Sequence, residues 1–368
     1  CVCIYKSPWW LAVMLSIAEL ERRKVEVVWA VVAQHIATGM PVGSQTISKR
    51  SGGLRARLSP ATVRHIMAEL EETGFLSQPH ASAGRVPTAL AYRLYADQIK
   101  KSASLSPSVK NLISREVRST DAETGGWSVE GISLLLSQIS HNVGMVMGPK
   151  RSEILLEHVK LVRLPEKRIL VVIVSKPDLV EHKVIGIDED EEMPQVDLDR
   201  AANYLNVNFR GWTLSSVRRE LYRRMKEERH RFEGLKRHLA LLVRKGILPT
   251  ETSSDLFVDG AANLIDRVEF PDLRRAKELL ATLMKKEKLV KILSECMHGA
   301  GDTIEFVIGD ENPEKGMKDC TVIMAPYLCG DRAIGALGVL GPTRMEYGRA
   351  ITAVRYTARL LSQRLGSN

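Results

Sequence analysis

Paired cysteines, long apolar runs and the common catalytic fingerprints are all missing from this 368-residue chain. Its five cysteines, Cys1, Cys3, Cys296, Cys320 and Cys329, form no CxxC pair, which excludes a secreted disulfide framework and zinc-finger spacing. A reducing, cytoplasmic setting is expected, with the last three thiols acting as small buried hydrophobes. The apolar run Trp9–Ala18 is well short of the roughly 20 residues that span a bilayer. Glu19-Leu20-Glu21-Arg22 follows it without a cleavage pattern, so neither a membrane anchor nor a signal peptide is expected. No P-loop, GxGxxG, HExxH or GxSxG occurs, and the nine histidines include no pair at metal-ligand spacing. Neither catalysis nor a bound metal or cofactor is expected.

What is present is a chain long enough for two or three domains at roughly 150 residues each, with 44% hydrophobic residues. The formal charge is +9, a small surplus that points to an anionic partner only weakly. It is uneven: residues 210–246 hold 12 Lys/Arg against 4 Asp/Glu, and residues 14–101 hold 12 against 7. The acidic turn Asp188–Glu192 lacks the spacing of a calcium loop and reads as solvated. Translation is expected to start at Met14, with residues 1–13 a non-native extension.

Apolar Val25, Val28, Trp29, Val32 and Ile36 recur at three and four, which predicts a helix over Ile17–Thr38. Gly39–Gly43 breaks it, and Ser44 caps a short helix, Gln45–Arg50. Ser59-Pro60 starts a third helix, because serine suits the cap and proline the first turn. That helix runs to Glu72, with Gly74 as its stop. Phe75–Gln78 and Gly84–Thr88 read as two short strands around a tip. Three helices and a hairpin outline a winged helix-turn-helix. Val63, Met67 and Leu70 make the core stripe of the third helix, leaving small and hydrogen-bonding groups on its first turn, as close approach to base edges requires. Arg55 and Arg57 just before it, and His80 and Arg85 at the wing, are candidates for phosphates.

Further on, helices are expected at Ser106–Arg118, Ser128–Ile139 and Leu198–Phe209, and strands at Glu157–Leu164, Ile169–Ser175 and Glu181–Ile187. A long basic helix, Leu214–Lys245, precedes helices at Ser254–Asp266, Pro271–Leu283 and Glu287–Met297. Strand character returns at Thr303–Ile308, Thr321–Pro326 and Ala333–Leu340, before a last helix from Glu346 to Leu365. The glycines of Gly335–Gly341 fit neither nucleotide motif and read as a closely packed strand. Strands, a helical block, then strands again imply an α/β domain with an insertion.

Pro41–Ser44, Ser59–Arg64 and Pro79–Thr88 resemble the heat-inducible transcription repressor HrcA family, as do Gly338–Tyr347 and Ile308–Asn312. The resemblance runs from about Met14 to Leu365. It implies an α+β multidomain plan: a winged helix-turn-helix at 14–101, a linker at 102–127, a GAF-like α/β domain at 128–209 and 299–368, and a mainly helical inserted dimerisation domain at 210–298. The family pattern places Asn-Glu where this chain has His65-Ile66.

On this reading Ser59, Thr62, Arg64 and His65 lie at or near base edges. Ser44 and Arg57 meet phosphates, and His80, Ser82 and Arg85 act from the wing. The resemblance implies a homodimer on an inverted-repeat operator in double-stranded DNA upstream of chaperone genes, kept active by the GroEL chaperonin. A ligand-gated winged-helix transcription factor, with a small molecule in the GAF-like domain, is the open alternative.

Overall fold

The computed structural model describes residues 22–49, 58–80, 82–102, 104–119, 128–149, 154–176, 179–187, 193–227, 256–265, 278–279, 281–283, 285–297 and 303–366. Residues 1–21, Arg57, the turn 188–192 and the expected helix beyond Glu227 lie outside them.

The described residues begin with α1 (Arg22–Thr38), α2 (Ser44–Lys49) and α3 (Pro60–Glu72), followed by the short antiparallel pair β1 (Leu76–Ser77) and β2 (Val86–Pro87). The α1 face Val27, Val28, Val31 and Val32 is fully buried against Val63, Met67 and Leu70 of α3 and Ile47 of α2. Ser44 is the first helical residue of α2 rather than its cap: the Gly43 carbonyl accepts from Thr46 and Ile47. Next come α4 (Ala89–Ser102), α5 (Pro107–Arg118) and α6 (Val129–Ser140). Ser106 and Ser128, expected as the first residues of their helices, instead cap α5 and α6 by accepting from Val109 and Gly131.

Two sheets follow. β3 (Val143–Met147), β7 (Leu256–Asp259), β8 (Glu305–Ile308), β9 (Cys320–Cys329) and β10 (Arg332–Pro342) form an antiparallel five-stranded sheet in the order β7-β3-β10-β9-β8. Alternation along β9 sends Ile323, Ala325 and Tyr327 to the side covered by α6 and the last helix α11 (Tyr347–Gly366). Val322 and Met324 face the other way, toward Leu289, Ile292 and Leu293 of α10 (Lys286–Cys296). Gly144 is required where α6 crosses β3: a Cβ there would lie 2.8 Å from the Ser137 amide nitrogen and still closer to the Ser133 carbonyl oxygen.

β4 (Leu155–Leu164), β5 (Arg168–Lys176) and β6 (Leu179–Gly186) form a separate antiparallel sheet. Its inner face, with Val159, Leu161, Ile169, Val171 and Ile173, packs on Leu198, Ala201, Leu205 and Phe209 of α7 (Gln195–Phe209). Leu214, Val217 and Leu221 of α8 (Leu214–Glu227) complete that core.

This arrangement corrects the expectation from element order, which groups these three strands with the C-terminal ones and starts the interruption at 210. The interruption lies between β3 and β7, and it carries a sheet as well as helices. The reason is local pairing: the β4–β5 hairpin closes through Glu166 and Lys167, both with positive φ, so each strand meets its sequence neighbour first. β7 corrects a second expectation, a helix over Ser254–Asp266; only α9 (Ala262–Ile265) is helical in the described part of that range.

Candidate nucleic-acid interface

The first turn of α3 is built to point outward. Ser59 Oγ accepts from the Thr62 amide at 3.1 Å and lies 2.9 Å from Thr62 Oγ1, so both side chains are engaged in the cap. Ala61, Thr62, Arg64 and His65 are exposed, while Val63, Ile66, Met67 and Leu70 are buried. Ile66, where the sequence departs from the HrcA pattern, is absorbed into the core. Ser48 Oγ donates to the Leu58 carbonyl at 2.8 Å, tying α2 to the entry of α3. Gln45, Thr46 and Lys49 stand exposed on α2, three residues the sequence reading passes over.

Charge is polarised along α3. No acid occupies its first turn, where the helix dipole and free N–H groups favour an anion. Glu69, Glu71 and Glu72 sit at the far end, and two of them are neutralised from other elements: Lys24 of α1 lies 3.2 Å from Glu69, and Arg85 of the hairpin 2.8 Å from Glu71. The Arg85 Nε–H is not aimed at that oxygen, so the contact is an ion pair without a hydrogen bond. Arg85 thus helps to hold the hairpin against α3, with part of its side chain still exposed. His65 is exposed, with Nε2 3.3 Å from Glu69.

The hairpin base is joined to the α1–α2 turn by reciprocal bonds between Val42 and Arg85, at 2.8 and 2.9 Å. A Cβ on Gly84 would sit 2.6 Å from the Val42 carbonyl, so only glycine permits this approach. The bridge brings the hairpin beside the segment that leads to half-buried Ser44, and His80 and Ser82 stand exposed at the hairpin tip. Ser44, Ser59, Thr62, Arg64, His65, His80, Ser82 and Arg85 therefore belong to one three-helix-and-hairpin unit.

The unit does not stand apart. Its core runs on into α6, α11 and the five-stranded sheet. His35 Nδ1 meets the Tyr92 hydroxyl at 2.7 Å, and Arg344 Nη1 donates to the Ile36 carbonyl at 3.2 Å. Burial and the nearby Arg344 charge hold His35 below its usual value. Of the thiols, Cys296 and Cys320 are buried, and burial pushes Cys320 up to about 12.

The model of the HrcA protein C terminal domain matches residues 128–351. A heat-inducible transcription repressor HrcA from Geobacter sulfurreducens is 36% identical over 349 residues, covering 94% of this chain and 98% of that one. The chain belongs to the HrcA family. Another HrcA, from Rhizobium etli, is 37% identical over 360 residues, covering 95% and 96% of the two chains. A solved structure described as a hypothetical protein shares the fold, with TM-score 0.61 at 21% identity over 95% of this chain and 99% of that one. Among the described residues, no helix of this HrcA chain is long and apolar enough to cross a membrane.

Proposed function

We propose that this HrcA chain is a cytoplasmic repressor of heat-shock genes that reads an inverted-repeat operator as a homodimer. The first three helices and the hairpin act as a winged helix-turn-helix, α3 entering the major groove by its first turn. The observation that carries this is the exposed set Thr62, Arg64 and His65 on a helix end free of acids, flanked by Gln45 and Thr46 and by the wing. Arg64 reads a base edge; Ser44, Arg57, His80 and Ser82 position the backbone. Arg85 fixes the wing and adds a phosphate contact from its base.

The five-stranded sheet with its helices serves as a GAF-like body, and the segment between β3 and β7 as the dimerisation insert. Val162, Leu170, Val172, Val174, Val180 and Val184 share the sheet face opposite α7, where Val180 and Val184 are exposed, which supports a partner there. GroEL chaperonin maintains the binding-competent form, so that unfolded clients relieve repression.

Footprinting of the full chain on the promoter of its own chaperone genes tests the reading. Protection of an inverted repeat, extended by added chaperonin, is the expected result. Absence of sequence-dependent protection would refute it.

A further inference from the structure

Among the described residues, β8 ends the five-stranded sheet and pairs with β9 alone, so the carbonyls on its other side face away from the sheet. Edge strands of this kind are usually blunted or covered. Here the cover comes from α4, the helix that connects the hairpin to the rest of the chain. Lys100 Nζ donates to the Ile304 carbonyl at 2.8 Å, and Arg93 Nη1 donates to the Phe306 carbonyl at 2.8 Å. Two donors seven residues apart, on one face of α4, thus meet two carbonyls two residues apart on one strand edge. The Phe306 ring lies 5.8 Å from each cation. Arg93 Nη1 is also 3.1 Å from Glu311 Oε2, whose same oxygen accepts from the Ile308 amide at 2.9 Å.

A second tie holds the other end of the unit. Arg344 donates to the carbonyl of Ile36 near the end of α1, and Gly39, with φ of 70°, leaves room for it: a Cβ there would lie 2.8 Å from Arg344 Nη1. Arg355 of α11 donates to the Lys100 carbonyl, and Tyr92 stacks on Tyr347.

Apolar burial between the two bodies is enough to hold them together, but it is non-directional and tolerates sliding. Charged donors aimed at individual main-chain carbonyls set one register and one orientation. Neither tie builds the core of α1–α3, so their effect falls on where that unit points. Orientation matters most when two reading units must meet two half-sites. Each added base pair moves a half-site about 3.4 Å and turns it by about a tenth of a helical turn.

We propose that Arg93 and Arg344 are positioning residues that fix the reading unit on the C-terminal sheet and thereby set the half-site spacing this repressor accepts. The inference rests on the dimeric operator reading above. It gives Ile308–Asn312 and Gly338–Tyr347 a defined role, as the receptor for the reading unit.

The test uses the full chain and duplexes that the wild type itself selects from a random pool. The selected repeat is then rebuilt with its half-sites one or two base pairs closer or farther apart. Wild type is expected to lose about tenfold in affinity for each base pair away from the optimum. Arg93→Gln and Arg344→Gln are expected to flatten that profile to within about threefold, with affinity for an isolated half-site unchanged. Amide exchange across α3 and β9 checks that each variant is folded, and faster exchange at Ile304–Ile308 reports an uncovered edge. Should Arg93→Gln fail to fold, Glu311→Gln keeps the shape and removes the charge pair.

A variant profile identical to that of wild type, or a flat profile for wild type, overturns the proposal while leaving the repressor reading intact. Selection of unpaired sites overturns both.

Discussion

Tyr92 stacks on Tyr347, ring centroids 5.9 Å apart and planes 24° from parallel, so the helix leaving the wing rests on the start of the last helix. Tyr347 is buried, its hydroxyl donating to the Thr343 carbonyl at 2.8 Å with Thr321 Oγ1 at 3.0 Å. Burial raises its ionisation far above the ordinary range, which keeps the hydroxyl a donor. The stack therefore joins a rigid polar anchor to α4, the helix that follows the hairpin.

Tyr347→Phe keeps the ring and removes the hydroxyl from buried Thr321 and from the half-buried Thr343 carbonyl. The expected cost is about 1–3 kcal/mol, read as a lower midpoint in denaturant at unchanged slope. Tyr347→Leu also loses the aromatic pair and should cost about 0.5–1.5 kcal/mol more. Equal midpoints for wild type and both variants would contradict the anchor.

His35 predicts a pH response. Burial, and then the Arg344 charge, lower its folded value from 6.5, so the fold favours neutral imidazole. Its contribution is fully present above pH 6.5 and is lost as the pH falls through that unfolded value toward the lowered folded one. Thermal melts at pH 7.5 and 5.5 should show a larger drop for wild type than for His35→Gln. Equal drops would assign the acid response to other groups.

Ser59 separates capping from DNA contact. Ser59→Ala removes the acceptor for the Thr62 amide and should cost about 1 kcal/mol of stability. Ser59→Asp restores an acceptor and suits the helix dipole, so stability should return. Its negative charge should nevertheless weaken binding to any duplex. Recovery of both properties by the aspartate would show that phosphates do not approach this turn.

Arg85→Ala should weaken the selected and scrambled duplexes alike and reduce the salt slope by about one. Because Arg85 pairs with Glu71, the wing should also loosen, seen as faster exchange at the Val42 and Arg85 amides. A loss confined to the selected duplex would make Arg85 a base reader.

The legible parts of this chain are those written in adjacent residues. Ser59-Pro60 starts α3 where a cap followed by proline requires, Gly74 takes φ of 77° just after its end, and α5 and α6 lie where helices are expected. β3 escapes the sequence because Gly144 and two methionines give little strand signal, and its partner Leu340 is almost two hundred residues away. The tie between Arg93 and Glu311 is hidden for the same reason, at a separation of 218 residues. Arg85 is visible in the sequence as a cation of the hairpin, but nothing local announces that Glu71 pairs with it.

The most direct measurement of the central claim is competitive binding of wild type and Arg64→Ala to the selected inverted repeat and to a scrambled duplex at one fixed salt concentration. Wild type should prefer the repeat by about 10³-fold or more. Arg64→Ala should lose about 1–3 kcal/mol of that preference while its affinity for the scrambled duplex changes little. Equal binding of both duplexes by wild type, or an Arg64→Ala chain as selective as wild type, would contradict the account.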